Sequence, residues 1–420
     1  MARLALSARS ERAEIPQSFA ALTPEWLSAA LGERWLHGAR VERVACEPLG
    51  EGEGFVGQIG RLHLALDRDA PRAPRSLIAK LPTEVRENRA LGELLGAYER
   101  EILFYRELAP QVGYRTARLY YADMDENPGS RFGPAIVRFV DRLPLLCIRW
   151  LMAFFAWAAG RSRRRYLLLL EDLAPAQLGD QVAGRTAAQC RPTVESMARC
   201  QAALWEDPRL DAHYWVTRPD DGLRIAHQSF RDSREAFERR FAARLGAADR
   251  ASLDWLDAHA VELARALHEQ APATLMHGDF RLDNLLFDGR PDPLVVDWQG
   301  VGRAPGVHDL AYFLAGTLPE HTTPEQEIAL VRAYHAALVG SGVDDYGFEA
   351  CLRDYRRCLL LGLHRLVTIE WIELGEQRGA DLIERWVDRA FSRVRGIDAA
   401  ALLAPGPGAA ALPRGPAPEG

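Results

Sequence analysis

The stretch His277-Gly278-Asp279-Phe280-Arg281-Leu282-Asp283-Asn284, followed after a short hairpin by Asp297-Trp298-Gln299, decides how this chain is read. It offers a carboxylate, an amide five positions later and a second carboxylate beyond the hairpin. Apolar flanks at 274–276 and 294–296 read as short strands framing a polar loop. In such a frame one carboxylate can stand at an acceptor hydroxyl while Asn284 and Asp297 hold Mg²⁺ on the phosphates of a nucleotide. Mg²⁺ takes hard oxygen ligands and keeps water and substrate phosphate in its other positions. The plainer alternative is a set of polar residues that only caps a turn between strands.

Upstream, composition singles out one residue. Of 52 basic residues only Lys80 is a lysine. Exposed cations tolerate either side chain, so a lysine kept in an arginine-rich chain marks a place where a compact ammonium is needed and a planar fork does not fit. Survival by chance on the surface is the alternative, and the neighbours weigh against it. Lys80 stands in a strand-like run at 77–81, with a periodic helix at 91–108 after it. Before it, 41–66 reads as two strands around Gly50-Glu51-Gly52-Glu53-Gly54. Glycines at such a turn let backbone amides approach phosphates. A lone GxGxG is weak evidence, and the two glutamates beside a triphosphate are unfavourable unless they point outward.

The 420 residues suffice for two lobes with a sizeable core, and 48% hydrophobic with 26% charged residues is ordinary for a globular protein. A net charge of −6 gives no sign of nucleic-acid affinity. Six scattered cysteines without CxxC spacing indicate neither a zinc site nor a disulfide framework, and fit a reducing, cytoplasmic compartment. No targeting peptide and no GxxxxGK[ST] phosphate loop is visible. A helix at 18–31 with Thr23 capping, strands at 115–122 and 166–170, and helices at 187–205, 228–245, 250–269, 324–339, 346–374 and 380–395 complete the pattern. The expected organisation is an N-terminal segment 1–17, a small β-rich lobe 18–172, a mostly helical lobe 173–398 and a Pro/Gly/Ala-rich tail 399–420.

The HGDFRLDN and DWQ segments resemble the aminoglycoside phosphotransferase and choline kinase superfamily, closest in style to its ecdysteroid-kinase-like branch. YEREILFYREL at 98–108, LLLLEDL at 167–173 and HDLAYFLAG at 308–316 carry the same likeness, which spans about 18–395. The resemblance implies an α+β, bilobal, protein-kinase-like fold and an ATP-dependent kinase. It implies that Asp279 orients the acceptor hydroxyl and takes its proton, and that Asn284 and Asp297 bind Mg²⁺. Lys80 would contact the α- and β-phosphates, braced by Glu101 or, one register step away, Glu99. Gly50, Gly52 and Gly54 would cover the phosphates, and Glu171 to Leu173 would form the hinge where adenine meets backbone. Arg281 is read either as charge stabilisation at the transferred phosphoryl group or as a structural ion pair. His277 and Asp309 are read as braces of the loop.

One segment departs from the pattern. Between the strands, 125–165 is inserted, with an apolar block at 143–160 followed by Arg161, Arg163, Arg164 and Arg165. Packing against the small lobe is the favoured reading, because Trp150, Phe154 and Trp157 at helical spacing suit a core. Contact with a membrane interface, or cover for a greasy substrate, is the alternative. Asp232, His364, Glu370 and Glu373 are candidates for an acceptor pocket. The mixed charge and abundant apolar surface at 351–378 favour a neutral or partly apolar alcohol over a polyamine. The competing functions are an aminoglycoside or choline-type kinase, a membrane-associated lipid or sterol kinase, and a non-catalytic pseudokinase-like binding protein.

Overall fold

The computed structural model describes residues 14–49, 57–368 and 377–404. Thr23 caps α1 (Pro24–Leu36), its hydroxyl accepting from the Trp26 amide at 3.2 Å, and Pro24 occupies the first turn, where no amide hydrogen is needed. Five strands follow: β1 (Val41–Leu49), β2 (Gly57–Leu66), β3 (Ser76–Pro82), β4 (Leu119–Met124) and β5 (Tyr166–Glu171). They form one antiparallel sheet in the order β1-β2-β3-β5-β4. The unbroken apolar run of β5 follows from burial on both faces. Leu167 and Leu169 join the cluster under α1 with Leu27, Leu62 and Leu77. Tyr166, Leu168 and Leu170 turn the other way, into the main core with Phe104.

Between β3 and β4 the chain departs from the single helix expected at 91–108. Gly96, at φ +64°, divides it into α2 (Arg86–Leu94) and α3 (Ala97–Leu103), and α3 runs on into a wider turn of π-helix at Phe104–Leu108. A left-handed backbone costs glycine little and interrupts the helix for any continuation. The strand expected at 115–122 also starts later. Arg115 leaves the sheet to bridge Leu294 of the other lobe, its carbonyl accepting from Val295 N at 2.8 Å.

The insertion folds as two helices, α4 (Gly133–Asp141) and α5 (Leu145–Ala159). Here the expectation from spacing fails. Trp150 is 81% exposed, and Phe154 and Trp157 are exposed as well. Only Ile148 of α5 is buried, because the helix rests on α2 along one side and nothing among the described residues covers the other.

The larger lobe is mainly helical. After β6 (Gln177–Leu178) come α6 (Ala187–Ala202), α7 (Leu223–Arg240) and α8 (Ala247–Gln270). Then β7 (Ala273–Met276), β8 (Leu285–Phe287), β9 (Leu294–Val295) and β10 (Gly302–Pro305) carry the polar loops between them. α9 (Val307–Thr317), α10 (Pro324–Val339), α11 (Phe348–Val367) and α12 (Gln377–Val394) close the lobe. β7 pairs with β10, and β8 with β6 and β9. Between the lobes, Trp298 is fully buried and stacks on Phe104 at 4.0 Å between ring centroids, so the segment after β9 is packed directly on the end of α3. No described helix is long and apolar enough to cross a membrane.

Candidate active site

The loop from β7 to β8 is shaped by backbone constraints before its side chains act. Gly278 sits at φ +82°, and a Cβ there would overlap the Gly300 carbonyl, so only glycine lets the loops after β7 and β9 lie backbone to backbone. Asp309, fully buried at the start of α9, accepts from His277 N at 2.7 Å and Gly278 N at 2.9 Å. Burial pushes its carboxyl up, against His277 and the two amides. His277 accepts from Asp279 N at Nδ1, which leaves Nε2–H to donate to the Val296 carbonyl at 3.0 Å. The result fixes Asp279 at the rim of a cavity.

The Asp279 carboxylate is held on three sides. Tyr312 donates its hydroxyl to Oδ1 at 2.7 Å, and Asn284 Nδ2 and Arg281 Nε donate to Oδ2 at 2.9 and 3.3 Å. Asn284 Nδ2 also reaches the Asp279 carbonyl at 2.8 Å, so its amide nitrogen is committed and its Oδ1 is the group left for a ligand. Arg281 donates at 2.7 Å to Asp283, which also accepts from Gln181 N. Burial would lower Arg281, but Asp279 and Asp283 outweigh it and hold the guanidinium charged. Arg281 is thus in an ion pair and also lines the cavity.

Lys80 arrives from β3. Its Nζ donates to Glu101 Oε1 at 2.6 Å and to Asp297 Oδ1 at 2.9 Å. Burial pulls the ammonium down, and the Asp297 and Glu101 carboxylates overcome it, so Lys80 stays protonated well above its ordinary range. Around the same cation, burial raises Glu101 against the pull of Lys80, whereas at Asp297 the Lys80 charge outweighs burial and keeps the carboxyl low. Asp297 adopts φ +66°, a left-handed conformation uncommon for a non-glycine residue and frequent at functional positions. The choice between the two glutamates is clear in the geometry. Glu101 meets Lys80, while Glu99 turns away to accept from Tyr214 at 2.8 Å, Ser130 at 2.7 Å and Arg164 at 3.0 Å.

Lys80, Glu101, Asp279, Arg281, Asn284, Asp297 and Tyr312 line one cavity of about 1070 Å³, larger than the roughly 300–1,000 Å³ usual for a single small ligand. Its lining includes Glu171, Asp172 and Leu173, where β5 leaves the sheet. Glu171 accepts from Arg118 N and Asp172 from Arg61, so both carboxylates are engaged by their own lobe. An apolar part of the wall comes from Leu359, Leu363 and Leu366 of α11 with Leu382, Ile383 and Trp386 of α12. Lys80, Asp297, Asn284 and Asp279 lie along the same cavity.

The donor set suits Mg²⁺. Asn284 Oδ1 and the Asp297 carboxylate are hard oxygens, and no group of three or more His, Cys, Asp or Glu among the described residues forms an all-protein metal cage. Two protein oxygens with the remainder supplied by phosphate and water is how Mg²⁺ is usually held.

Several expectations do not meet the cavity. His364 is buried against Phe230, with rings stacked at 4.5 Å and Nε2 at 3.2 Å from His227 Nδ1. Asp232 lies on α7, accepting from Gln228. Gly50, Gly52, Gly54, Glu370 and Glu373 fall outside the described residues. Conversely, nothing in the sequence assigns a role to Tyr312 or Trp298. Tyr312 stands three positions after Asp309 on α9, so both face the same loop, and that spacing was the available signal. Trp298 had no local signal, because its partner Phe104 is distant in sequence.

A family model described as ecdysteroid kinase-like matches residues 51–342, well over half of the chain. No curated protein matches it. Among solved structures, a choline kinase from Cryptosporidium parvum aligns at 9% identity and a TM-score of 0.48, covering 89% of this chain and 92% of its own. An ethanolamine kinase from Plasmodium vivax aligns at 10% and 0.46, over 88% and 86%. An aminoglycoside-3'-phosphotransferase of type VIII aligns at 18% and 0.39, over 75% and 93%.

Proposed function

Because this chain belongs to the ecdysteroid kinase-like family, we propose that it transfers the γ-phosphoryl group of ATP to a hydroxyl of a small, largely apolar alcohol. The observation that carries this reading is that a single cavity is lined by the β5 exit, by Lys80, Asp297 and Asp279, and by an apolar wall from α11 and α12. A nucleotide and an acceptor fit end to end, with Asp279 between them.

The roles follow from the contacts. The backbone at 171–173 receives the adenine, and Lys80, positioned by Glu101, meets the α- and β-phosphates. Asn284 and Asp297 are the residues that would hold Mg²⁺, which when bound would supply charge neutralisation at the phosphates. Asp279 accepts the proton of the acceptor hydroxyl as that oxygen bonds to the γ-phosphorus and the bond to the bridging oxygen of ADP breaks. Tyr312 occupies Oδ1 of Asp279 and yields it to the acceptor hydroxyl. Arg281 places a permanent positive charge beside the transferring group.

The acceptor class is read from the apolar wall. Among the described residues, α9, α11 and α12 contribute leucine, isoleucine, alanine, glycine and tryptophan there, with Cys358, Tyr312 and the single cation Arg365, and no carboxylate. A polyamine gains nothing from such a wall, whereas a hydroxylated apolar skeleton, such as the steroid in the family's name, buries its surface against it. ATP consumption with a hydroxysteroid, choline and an aminoglycoside as acceptors tests this, and fastest turnover of the aminoglycoside would refute the acceptor class. Asp279→Asn is expected to lower turnover by about 10²–10⁴ while Mg·ATP still raises Tm. Retained transfer in that variant would refute the base.

A further inference from the structure

The insertion is the feature that the phosphotransfer reading leaves unused. Leu146, Trp150, Phe154 and Trp157 repeat at four, four and three positions along α5, which puts them in one stripe about 17 Å long. All four are exposed, Leu146 at 74%, and Phe154 and Trp157 stack on each other at 5.9 Å. Phe139 on the preceding α4 is exposed as well. A stripe of this size and aromatic content on the outside of a folded chain marks a surface that meets something apolar.

The charge around the stripe selects the partner. Between Asp141 and Glu171 the chain carries six arginines and no carboxylate. Arg164 and Arg165 face inward and are tied to Glu93, Glu99, Asp125 and Glu14. The other four lie outward. Arg161 covers the Trp157 ring at 3.9 Å, and Arg149, next to Trp150, comes only within 4.0 Å of Asp232. Arg142 and Arg163 are exposed and, among the described residues, pair with no carboxylate. A second copy meeting this face about a two-fold axis would set the same arginines against themselves. An anionic lipid surface neutralises them while its acyl region takes up the aromatic stripe. With 15 residues, α5 is about 22 Å long, too short for a roughly 30 Å hydrocarbon core, so it lies in the interface and does not span it.

We propose that α4 and α5 form a docking surface for an anionic bilayer, with the Leu146-Trp150-Phe154-Trp157 stripe inserted at the headgroup boundary and Arg142, Arg149, Arg161 and Arg163 on lipid phosphate. The surface is independent of phosphotransfer, so failure of either reading leaves the other standing.

The test is co-sedimentation of the full chain with phosphatidylcholine vesicles, with and without phosphatidylserine. The protein is expected to pellet with the anionic vesicles and to be released as salt rises. Trp150→Ser with Phe154→Ser is expected to weaken vesicle partitioning at least about tenfold. Arg149→Gln with Arg163→Gln is expected to cost about fivefold for each charge, on anionic vesicles only. All four side chains are exposed, so both variants are expected to unfold at the wild-type temperature, which separates lost docking from lost folding. A wild-type chain that stays in the supernatant with both vesicle types overturns the proposal. So does a chain that forms a dimer dispersed by the Trp150/Phe154 substitutions while ignoring lipid.

Discussion

Lys80 places its ammonium within 2.6 and 2.9 Å of two carboxylates, and its side chain is only 13% exposed. Two acids this close to one enclosed cation need a point charge on a narrow stem, and a guanidinium fork would displace one of them. We therefore expect Lys80→Arg to fold normally but to lose about 10²-fold in kcat/KM for ATP, a loss typical of removing one preorganised charge contact. Wild-type kinetics would mean that arginine serves and the lone lysine is an accident of composition. This residue was legible because the rest of the chain avoids lysine. Asp279, Asn284 and Asp297 were legible from spacing, since a loop of this length between two short strands leaves few places for their side chains. Tyr312 was not, because its contact with Asp279 depends on how α9 packs over the loop, which is a tertiary fact.

At the scale of elements, α3 is held by two glutamates two positions apart that do different work. Glu101 points into the cavity toward Lys80, and Glu99 ties the helix to the insertion through Arg164 and Ser130 and to the larger lobe through Tyr214. The sequence left the two in competition because one register step decides which faces inward, and the Gly96 break that sets that register shifts the helix start. The structure predicts a double dissociation. Glu101→Gln should cut kcat at least about tenfold with little change in Tm, since Lys80 keeps Asp297. Glu99→Gln should cost about 1.5–3 kcal/mol of stability in urea unfolding, because a buried charge-assisted bond to Arg164 is lost, with a smaller effect on kcat at saturating substrate. Equal effects on both readouts from both variants would contradict this division. The insertion shows the opposite failure of legibility. Its spacing is that of a core helix, and what overrides it is tertiary: α5 finds cover on one side only, against α2, which leaves its aromatic stripe exposed.

At the scale of the whole molecule, two buried histidines of the helical lobe contribute to its acid sensitivity. His364 of α11 is stacked on Phe230 and meets His227 of α7, whose charge opposes its own. Burial first, and His227 second, push it down to about 3, with only Asp257 acting the other way. His308 of α9 is likewise pushed down to about 3, by burial and then by Arg365 and His268. Both imidazoles are therefore neutral in the folded chain at every physiological pH, while in the unfolded chain they titrate near 6.5. Above that value neither state carries the proton, and their contribution is fully present. Below it the unfolded chain gains protons that the folded chain refuses, so stability falls by up to about 1.4 kcal/mol per pH unit for each histidine until the folded value is reached. Buried carboxylates with raised values, Asp309 and Asp354 among them, act in the opposite sense, because the folded state then holds protons more tightly. A bulk acid-unfolding curve mixes the two, and the informative quantity is a difference between chains. His364→Phe keeps an aromatic ring on Phe230 and removes one titration. Compared by urea unfolding at pH 7 and pH 5, the variant should gain on the wild type by up to about 2 kcal/mol over that interval. Parallel losses in the two chains would show that His364 takes up its proton in the folded state as readily as in the unfolded one, and that α7 and α11 part far enough in acid to let water reach it.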